Sequence, residues 1–185
     1  MLELYRMVVE MDRIPYQVTQ AAAAYESIRS LPVTVLLDNV RSLYNVGAFF
    51  RTCDAVGVES LYLGGITGKP PKKAIAKTAL GAEETVPWQH GWEPEAALAG
   101  MRVRGYELAA VETSLHSVDL YDWRPRFPVT IVFGHEVDGI RPELSSLCDT
   151  HVRIPMLGTK HSLNVATAGG VVLYELLRKY RAAHL

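Results

Sequence analysis

Apolar residues follow two alternating patterns along the chain, short β-branched runs and longer helical repeats. A run at 33–38 predicts a strand, and the segment 45–56 predicts a helix that Gly57 ends. A second apolar run at 60–65 predicts another strand, so the three elements form a βαβ unit.

The alternation continues to the end of the chain. Further strands are predicted at 85–88, 106–112, 129–134 and 151–156, and further helices at 94–104, 142–148 and 162–181. Short apolar strands that alternate with helices favour an α/β fold, with a mostly parallel sheet flanked by helices on both faces. Ligands of such sheets gather at the carboxyl ends of the strands.

The chain of 185 residues is long enough for one domain with a full core and too short for two ordinary domains. Residues 16–30 are rich in alanine and predict a helix that Leu31 and Pro32 end. We therefore expect an N-terminal extension with a helix at 1–31 and a single domain at 32–185.

Composition narrows the class of protein. With 49% hydrophobic and 21% charged residues, the chain is typical of globular proteins. No stretch approaches the roughly 20 apolar residues of a membrane span, and no signal peptide is recognisable, so we expect a cytoplasmic protein without membrane contact. Cys53 and Cys148 have no CxxC partner or neighbouring histidine, so no metal site is predicted.

The net charge of −1 does not by itself indicate a nucleic-acid-binding protein. The lysines are nevertheless clustered, and Lys69, Lys72, Lys73 and Lys77 lie together in a segment that is predicted to be a proline-containing loop. Such a cluster can bind phosphate groups. The basic residues at 178–181 are equally well explained as cations at a helix end.

Three segments place small and polar residues just after a predicted strand: 38–58, 132–144 and 154–170. In the first, Asn45 stands where a helix N-cap is expected, and Arg51 lies inside an otherwise apolar helix. An arginine there either binds an anion or extends to solvent.

The other two segments carry similar signals. Gly134 allows close approach of the backbone, and Glu136 supplies a carboxylate that either serves a ligand or caps the next helix. Ser162 is predicted to cap the last helix, with Asn164 in its first turn. The adjacent glycines at 169–170 require a close approach, since glycine costs about 1 kcal/mol inside a helix.

Other motifs are excluded by spacing. The glycines around Lys69 do not form a phosphate-binding P-loop, and no GxGxxG, GxSxG or HExxH motif is present. A hydrolase built on the neighbouring His161 and Ser162 is also disfavoured, because adjacent side chains rarely face each other.

Together the three segments resemble the SpoU/TrmH branch of the SPOUT methyltransferases, which methylate a ribose 2′-hydroxyl of RNA. The first family motif is matched by Asn45, Gly47, Ala48, Arg51 and Thr52; the second by Phe133, Gly134, Glu136 and Gly139; the third by 154–156 and 162–166. Their order and spacing agree over about residues 33 to 180.

The resemblance implies a C-terminal trefoil knot, a homodimer and S-adenosyl-L-methionine as cofactor, with no metal. Residues implied to bind the cofactor are Glu112, Thr113, Gly134, Ile154, Met156, Leu157, Gly158, Ser162 and Leu163. Residues implied to be catalytic are Arg51, Asn45, Glu136, Ser162 and Asn164. RNA would be contacted by Arg41 together with Lys69, Lys72, Lys73 and Lys77.

Within this resemblance Arg51 would lie nearest the reacting hydroxyl, and Glu136 would orient Arg51 or bind cofactor hydroxyls. Because a guanidinium group stays protonated in proteins, a phosphate clamp or a stabiliser of alkoxide charge suits it better than a base.

Three other functions remain open at this stage. One is an RNA-binding protein of the same fold without turnover, and another is a methyltransferase of the same superfamily that acts on a base nitrogen. The third is a small-molecule methyltransferase, which would not need the lysines. The sequence does not distinguish tRNA from rRNA as the substrate.

Overall fold

The computed structural model describes residues 28 and 30–184. Of the helix predicted at 16–30, only residues 28 and 30 are described, neither of them helical, and the rest lies outside the described residues. Seven parallel strands form one sheet: β1 (Leu31–Asp38), β2 (Val58–Gly64), β3 (Trp88–Gly91), β4 (Glu107–Val111), β5 (Val118–Asp119), β6 (Val129–Phe133) and β7 (Thr150–Arg153). The helices are α1 (Leu43–Val56), α2 (Lys73–Ala79), α3 (Ala82–Thr85), α4 (Pro94–Val103), α5 (Pro142–Ser145) and α6 (Val165–His184).

The strands are ordered β3-β2-β1-β6-β4-β7-β5, and every pair is parallel. Alternate residues of β1 enter separate apolar layers because successive strand side chains point to opposite faces. Val35 and Leu37 pack in the layer that contains α1 and α6, whereas Leu36 packs in the layer that contains α4 and α5. The predicted α/β fold with helices on both faces is confirmed.

Several predicted boundaries were wrong. The strand expected at 85–88 begins at Trp88, because Ala82–Thr85 forms a short helix. The loop expected to hold all four lysines becomes helical from Lys73. The two-residue strand β5 was not predicted, since it pairs only with β7 and carries no apolar repeat of its own.

One further helix and one further strand also end earlier than predicted. The helix expected at 142–148 stops at Ser145, and the strand expected at 151–156 stops at Arg153, so that residues 154–156 belong to a loop. Among the residues that the structure describes, no helix combines the length and the apolar character needed to cross a membrane. The trefoil knot stays a prediction.

Two glycines allow helices to approach each other closely. A Cβ atom on Gly47 would lie 2.4 Å from the backbone oxygen of Ile75, so α2 crosses α1 at this point. A Cβ atom on Gly169 would lie 2.4 Å from the ring of Phe49, which places the last helix directly against α1. Gly170, by contrast, has open space around its Cα within this chain.

We predict that Gly169→Ala destabilises the protein by about 1–3 kcal/mol, because the new methyl group overlaps the buried ring of Phe49. That ring is itself packed against Phe133, with centroids 5.0 Å apart, and has little room to move. Urea unfolding measures the change.

The matched control is Gly100→Ala in α4, where a Cβ atom meets nothing within 4 Å. Here we expect stabilisation of about 0.5–1 kcal/mol from the helix propensity of alanine. Equal effects of the two substitutions would contradict the packing role of Gly169.

Candidate functional site

A cavity of about 420 Å³ opens where β4, β6 and β7 end. Its walls come from three segments at strand ends, 111–113, 134–139 and 152–164, and from the start of α6. Both the volume and the position at the carboxyl ends of parallel strands are typical of a small-molecule site. Within the described ranges, no group of three or more His, Cys, Asp or Glu side chains could hold a metal ion.

Most of the residues predicted to bind a cofactor line this cavity. Those in its walls are Glu112, Thr113, Gly134, Ile154, Met156, Ser162 and Leu163. Leu157 and Gly158 do not line it, and the side chain of Leu157 is fully exposed. The loop 154–163 therefore contributes its two ends to the cavity, while its middle extends into solvent.

Glu136 joins the second segment to the first. Its carboxylate accepts hydrogen bonds from the backbone N–H groups of Arg41 (3.0 Å) and Ser42 (2.9 Å) and from the side-chain amide of Asn45 (3.0 Å). A carboxylate at the start of a helix also interacts favourably with the helix dipole. Glu136 thus fixes the start of α1 next to the cavity.

These contacts shift the ionisation of Glu136. Burial by itself would raise the pKa of its carboxyl group, but the hydrogen bonds from Ser42, Arg41 and Asn45 together bring the pKa below its ordinary value. The charged form is therefore the stable one around neutral pH. The expectation that Glu136 orients Arg51 has no counterpart among its hydrogen bonds in the described structure.

Asn164 brings the third segment to the same point. Its side-chain amide donates to the Asn45 side-chain oxygen at 3.2 Å, and its own oxygen accepts from the N–H groups of Ala166 and Thr167 at the start of α6. The hydrogen bonds therefore run in one direction, from the amides of α6 through two asparagines to Glu136. All three sequence segments meet in this network.

The predicted helix caps were wrong. Helix α1 is capped by Ser42, whose hydroxyl accepts from the N–H of Asn45, so Asn45 lies in the first turn instead. Helix α6 is capped by Asn164 and not by Ser162, because the chain becomes helical only at Val165. In both cases the cap is the residue immediately before the first helical residue. Residue type alone could not identify it, because serine and asparagine are about equally good caps.

The loop after β6 is a tight turn that glycines make possible. His135 and Gly139 exchange backbone hydrogen bonds of 2.9 and 3.0 Å, and a Cβ atom on Gly134 would lie 2.2 Å from the backbone of Gly139. Glu112 accepts from the backbone N–H of Ile140 at 3.2 Å and so holds the far side of this turn. The close approach expected at Gly134 is an approach of the loop to itself.

An ion pair between a partly exposed arginine and a buried carboxylate lies next to this loop and was not predicted. Asp38, which is completely buried at the end of β1, accepts from the Arg141 guanidinium Nε at 3.1 Å, and the same guanidinium lies 2.9 Å from Glu95. The hydrogen bond that Arg141 donates to Asp38, offset partly by burial, raises the pKa of Arg141. A charged residue that ends an apolar strand was the available sequence signal.

His161, Asp138 and Arg153 also line the cavity and were not predicted to do so.

The other predicted residues lie outside the cavity. Arg51 is exposed on α1 and makes no hydrogen bond or ion pair in the described part of the chain. The residues expected to contact RNA are all exposed: Arg41, Lys69, Lys72, Lys73 and Lys77. Arg41 lies two residues before α1, and α2, which carries Lys73 and Lys77, packs against the start of α1, because Thr78 donates to the backbone oxygen of Tyr44 at 3.0 Å. The structure therefore separates a cavity from a neighbouring basic surface.

An open parallel sheet with a loop-built cavity at its carboxyl edge defines an α/β protein with a small-molecule site. The family model described as "SpoU rRNA Methylase family" matches residues 32–174. The chain belongs to the SpoU rRNA methylase family, and the resemblance found in the sequence is confirmed.

Curated relatives agree with this assignment. The tRNA (guanosine(18)-2′-O)-methyltransferase of Aquifex aeolicus is 35% identical over 151 residues, which cover 82% of this chain and 71% of the relative. The 23S rRNA (guanosine-2′-O-)-methyltransferase RlmB of Vibrio parahaemolyticus is 32% identical over 153 residues, which cover 82% of this chain and 61% of the relative. The match therefore leaves more than a third of the RlmB chain uncovered.

Solved structures show the same fold. The Aquifex aeolicus TrmH/SpoU tRNA modifying enzyme superposes with a TM-score of 0.77 at 34% identity, covering 84% of this chain and 78% of the other. An AdoMet-bound rRNA methyltransferase from Sinorhizobium meliloti superposes with a TM-score of 0.74 at 31% identity, covering 79% of this chain and 56% of the other.

We predict that Glu136→Gln lowers stability at neutral pH, since a glutamine cannot accept all three hydrogen bonds without turning an N–H toward the donors. Because the pKa of Glu136 is lowered on folding, its contribution is present above the ordinary glutamate pKa and is lost as pH falls through the folded value.

The difference in urea midpoint between wild type and Glu136→Gln should therefore shrink as the solution is acidified. Glu143→Gln is the control, because Glu143 is an exposed glutamate at the start of another helix. A difference for Glu136→Gln that is constant with pH would contradict the assigned role of its charge.

Proposed function

We propose that this protein transfers the methyl group of S-adenosyl-L-methionine to a ribose 2′-hydroxyl of tRNA or rRNA. The observation that carries the proposal is the network of Glu136, Asn45 and Asn164, which joins the three family segments at the mouth of the cavity. Membership of the SpoU family and the reactions named for its relatives support the same reaction.

The cavity suits the cofactor. Its volume is within the range of small-molecule sites, and apolar side chains such as Ile154 and Leu163 share its walls with the carboxylates of Glu112 and Glu136. Apolar walls suit an adenine ring, and carboxylates suit hydroxyl groups and positive charge. We assign cofactor binding to this cavity, with its predicted lining residues Glu112, Thr113, Gly134, Ile154, Met156, Ser162 and Leu163.

S-adenosyl-L-methionine, when bound, supplies an already activated methyl group. The protein must then hold the 2′-oxygen in line and prevent it from moving, and this positioning is a large part of catalysis. Asn45 and Asn164 are suited to positioning the 2′-oxygen, because the side-chain amide of each is held by two or more hydrogen bonds. Ser162 stands in the cavity wall beside them, with its hydroxyl available to the substrate.

Arg51 is assigned to the substrate. Its guanidinium is exposed and has no protein partner in the described residues, so it is available to bind a phosphate or to stabilise negative charge on the 2′-oxygen. It lies six residues after Asn45 on α1, nearly two turns along the same helix. RNA that reaches from the cavity to the basic surface would pass over this helix.

A homodimer is part of the proposal. Gly170 presents an open backbone on α6, and small residues of this kind allow another helix to pack closely. Sedimentation equilibrium of the purified chain tests the dimer, and a monomer at assay concentration would contradict it. A cytoplasmic location, where tRNA and rRNA are found, follows from the proposed substrate and is tested by cell fractionation.

We predict that the protein transfers labelled methyl groups from S-adenosyl-L-methionine to total RNA from cells that lack the enzyme. Nuclease digestion and mass spectrometry should then find a new 2′-O-methylnucleoside. A methylated base would instead favour the base-nitrogen alternative, and cofactor binding without any transfer would favour the RNA-binding alternative.

Reversing the charge of two exposed lysines tests whether the substrate is RNA or a small molecule. The variant with Lys72→Glu and Lys73→Glu should bind RNA more weakly and should show a smaller dependence of affinity on salt. Unchanged transfer by this variant would favour the small-molecule alternative.

We predict that Arg51→Ala lowers kcat for RNA methylation by about 100-fold, in line with the loss of one group that stabilises developing charge. Arg51→Lys should recover only part of this, since lysine cannot bind a phosphate in bidentate fashion. Cofactor affinity, measured by calorimetry, should be the same in all three proteins. Near-normal turnover of Arg51→Ala would exclude Arg51 from the chemistry.

A further inference from the structure

Trp92 is a large aromatic residue that the assigned site does not use. Its side chain is 73% exposed and follows β3, the strand at one edge of the sheet. It contacts the ring of His90 at nearly a right angle, with centroids 5.3 Å apart, and most of its surface stays accessible. A single exposed apolar residue needs no explanation, so the surroundings of Trp92 decide whether it has a role.

The surroundings connect Trp92 to the basic surface. The N–H of Gly65, at the start of the segment with the lysines, donates to the oxygen of Gly91 at 2.9 Å, and the ring of His90 is within 3.1 Å of the oxygen of Gly65. The next residue, Ile66, is also 59% exposed. Apolar side chains after β2 and β3 therefore adjoin the segment that carries the lysines.

The charge of this region favours an anionic partner. Between residues 65 and 92 the chain carries four lysines and two glutamates, and all four lysines are exposed. One of the glutamates, Glu83, accepts from the backbone of Gly81 and is engaged there. Glu93 follows Trp92 and is the acidic group nearest to it in sequence. Exposed aromatic rings beside lysines are typical of surfaces that bind single-stranded RNA.

The position of Trp92 suits RNA held at the cavity. Three strand spacings of about 4.8 Å separate β3 from β6, so the end of β3 lies about 14 Å along the carboxyl edge from the end of β6. This is the length of about four nucleotides at the duplex rise of about 3.4 Å each, and of fewer nucleotides in an extended single strand. The two strands between these points are β1 and β2, which are followed in the chain by the start of α1 and by the segment with the lysines.

We propose that Trp92 stacks on an unpaired base of the RNA substrate, a few nucleotides from the ribose that is methylated, and so forms a base-binding subsite at the outer end of the basic surface. The inference rests on the proposed function for the identity of the substrate. Stacking of this kind accepts any base, because every base has an aromatic face. It therefore adds affinity and fixes the position of the strand without sequence readout.

The test measures RNA binding and methylation separately. Fluorescein-labelled bulk tRNA and an rRNA fragment preparation serve as probes, and fluorescence anisotropy gives the dissociation constants. We expect Trp92→Ala to weaken binding of the RNA that accepts methyl groups by about tenfold, and Trp92→Phe to bind within about threefold of wild type. The KM for that RNA should rise with Trp92→Ala, while kcat and cofactor affinity change little.

The intrinsic fluorescence of Trp92 reports the contact directly. RNA should quench the wild-type protein, and Trp92→Phe should lose most of this change, since Trp123 is 4% exposed and Trp88 is half-buried. Tyr121→Ala is the matched control, because Tyr121 is 60% exposed and follows β5 at the opposite edge of the sheet. Its RNA affinity should equal that of wild type.

The outcomes separate the two proposals. If Trp92→Ala methylates RNA as the wild type does, with unchanged KM and unchanged RNA affinity, the subsite is overturned and the proposed function stands. An equal loss of affinity in Tyr121→Ala would also overturn it. RNA binding that depends on Trp92, without methyl transfer, would support the subsite and remove the proposed reaction.

Discussion

The site depends on a single carboxylate that joins distant parts of the chain. Glu136 binds the backbone N–H groups of Arg41 and Ser42, which precede it by more than 90 residues, and also the amide of Asn45. Hydrogen bonds to a charged acceptor are stronger than neutral ones, so this contact fixes the loop after β6 against the start of α1. Asn164 then joins α6 to the same point through Asn45.

An ion pair on a buried carboxylate reinforces this junction. Asp38 ends β1 with its carboxylate completely buried, and Arg141, just beyond the loop after β6, binds it. Removing Arg141 would leave the buried carboxylate of Asp38 without its charged partner, whereas Arg141 is partly exposed and also pairs with Glu95. The loops after β1 and β6 are therefore held in one arrangement by two separate contacts, and that arrangement shapes one wall of the cavity.

Close packing between helices also determines where the residues of the site lie. Gly169 allows α6 to lie against Phe49 of α1, and Gly47 allows α2 to cross α1 on another side. Helix α1 therefore has neighbours that determine its position, while Arg51 on its surface remains exposed. The same arrangement places the lysines of α2 beside α1 and outside the cavity wall. The separation of the cavity from the neighbouring basic surface follows from this packing.

The sequence alone determined the fold class, the positions of most strands, and the three segments that form the site. These features follow from local periodicity and from residue types at strand ends, which each segment carries by itself. The sequence did not determine that Ser42 and Asn164 cap their helices, that Glu136 binds α1, or that Arg141 pairs with Asp38. Only the tertiary structure decided these contacts, because each hydrogen bond depends on where the folded backbone places the other group, whether three residues away or more than a hundred.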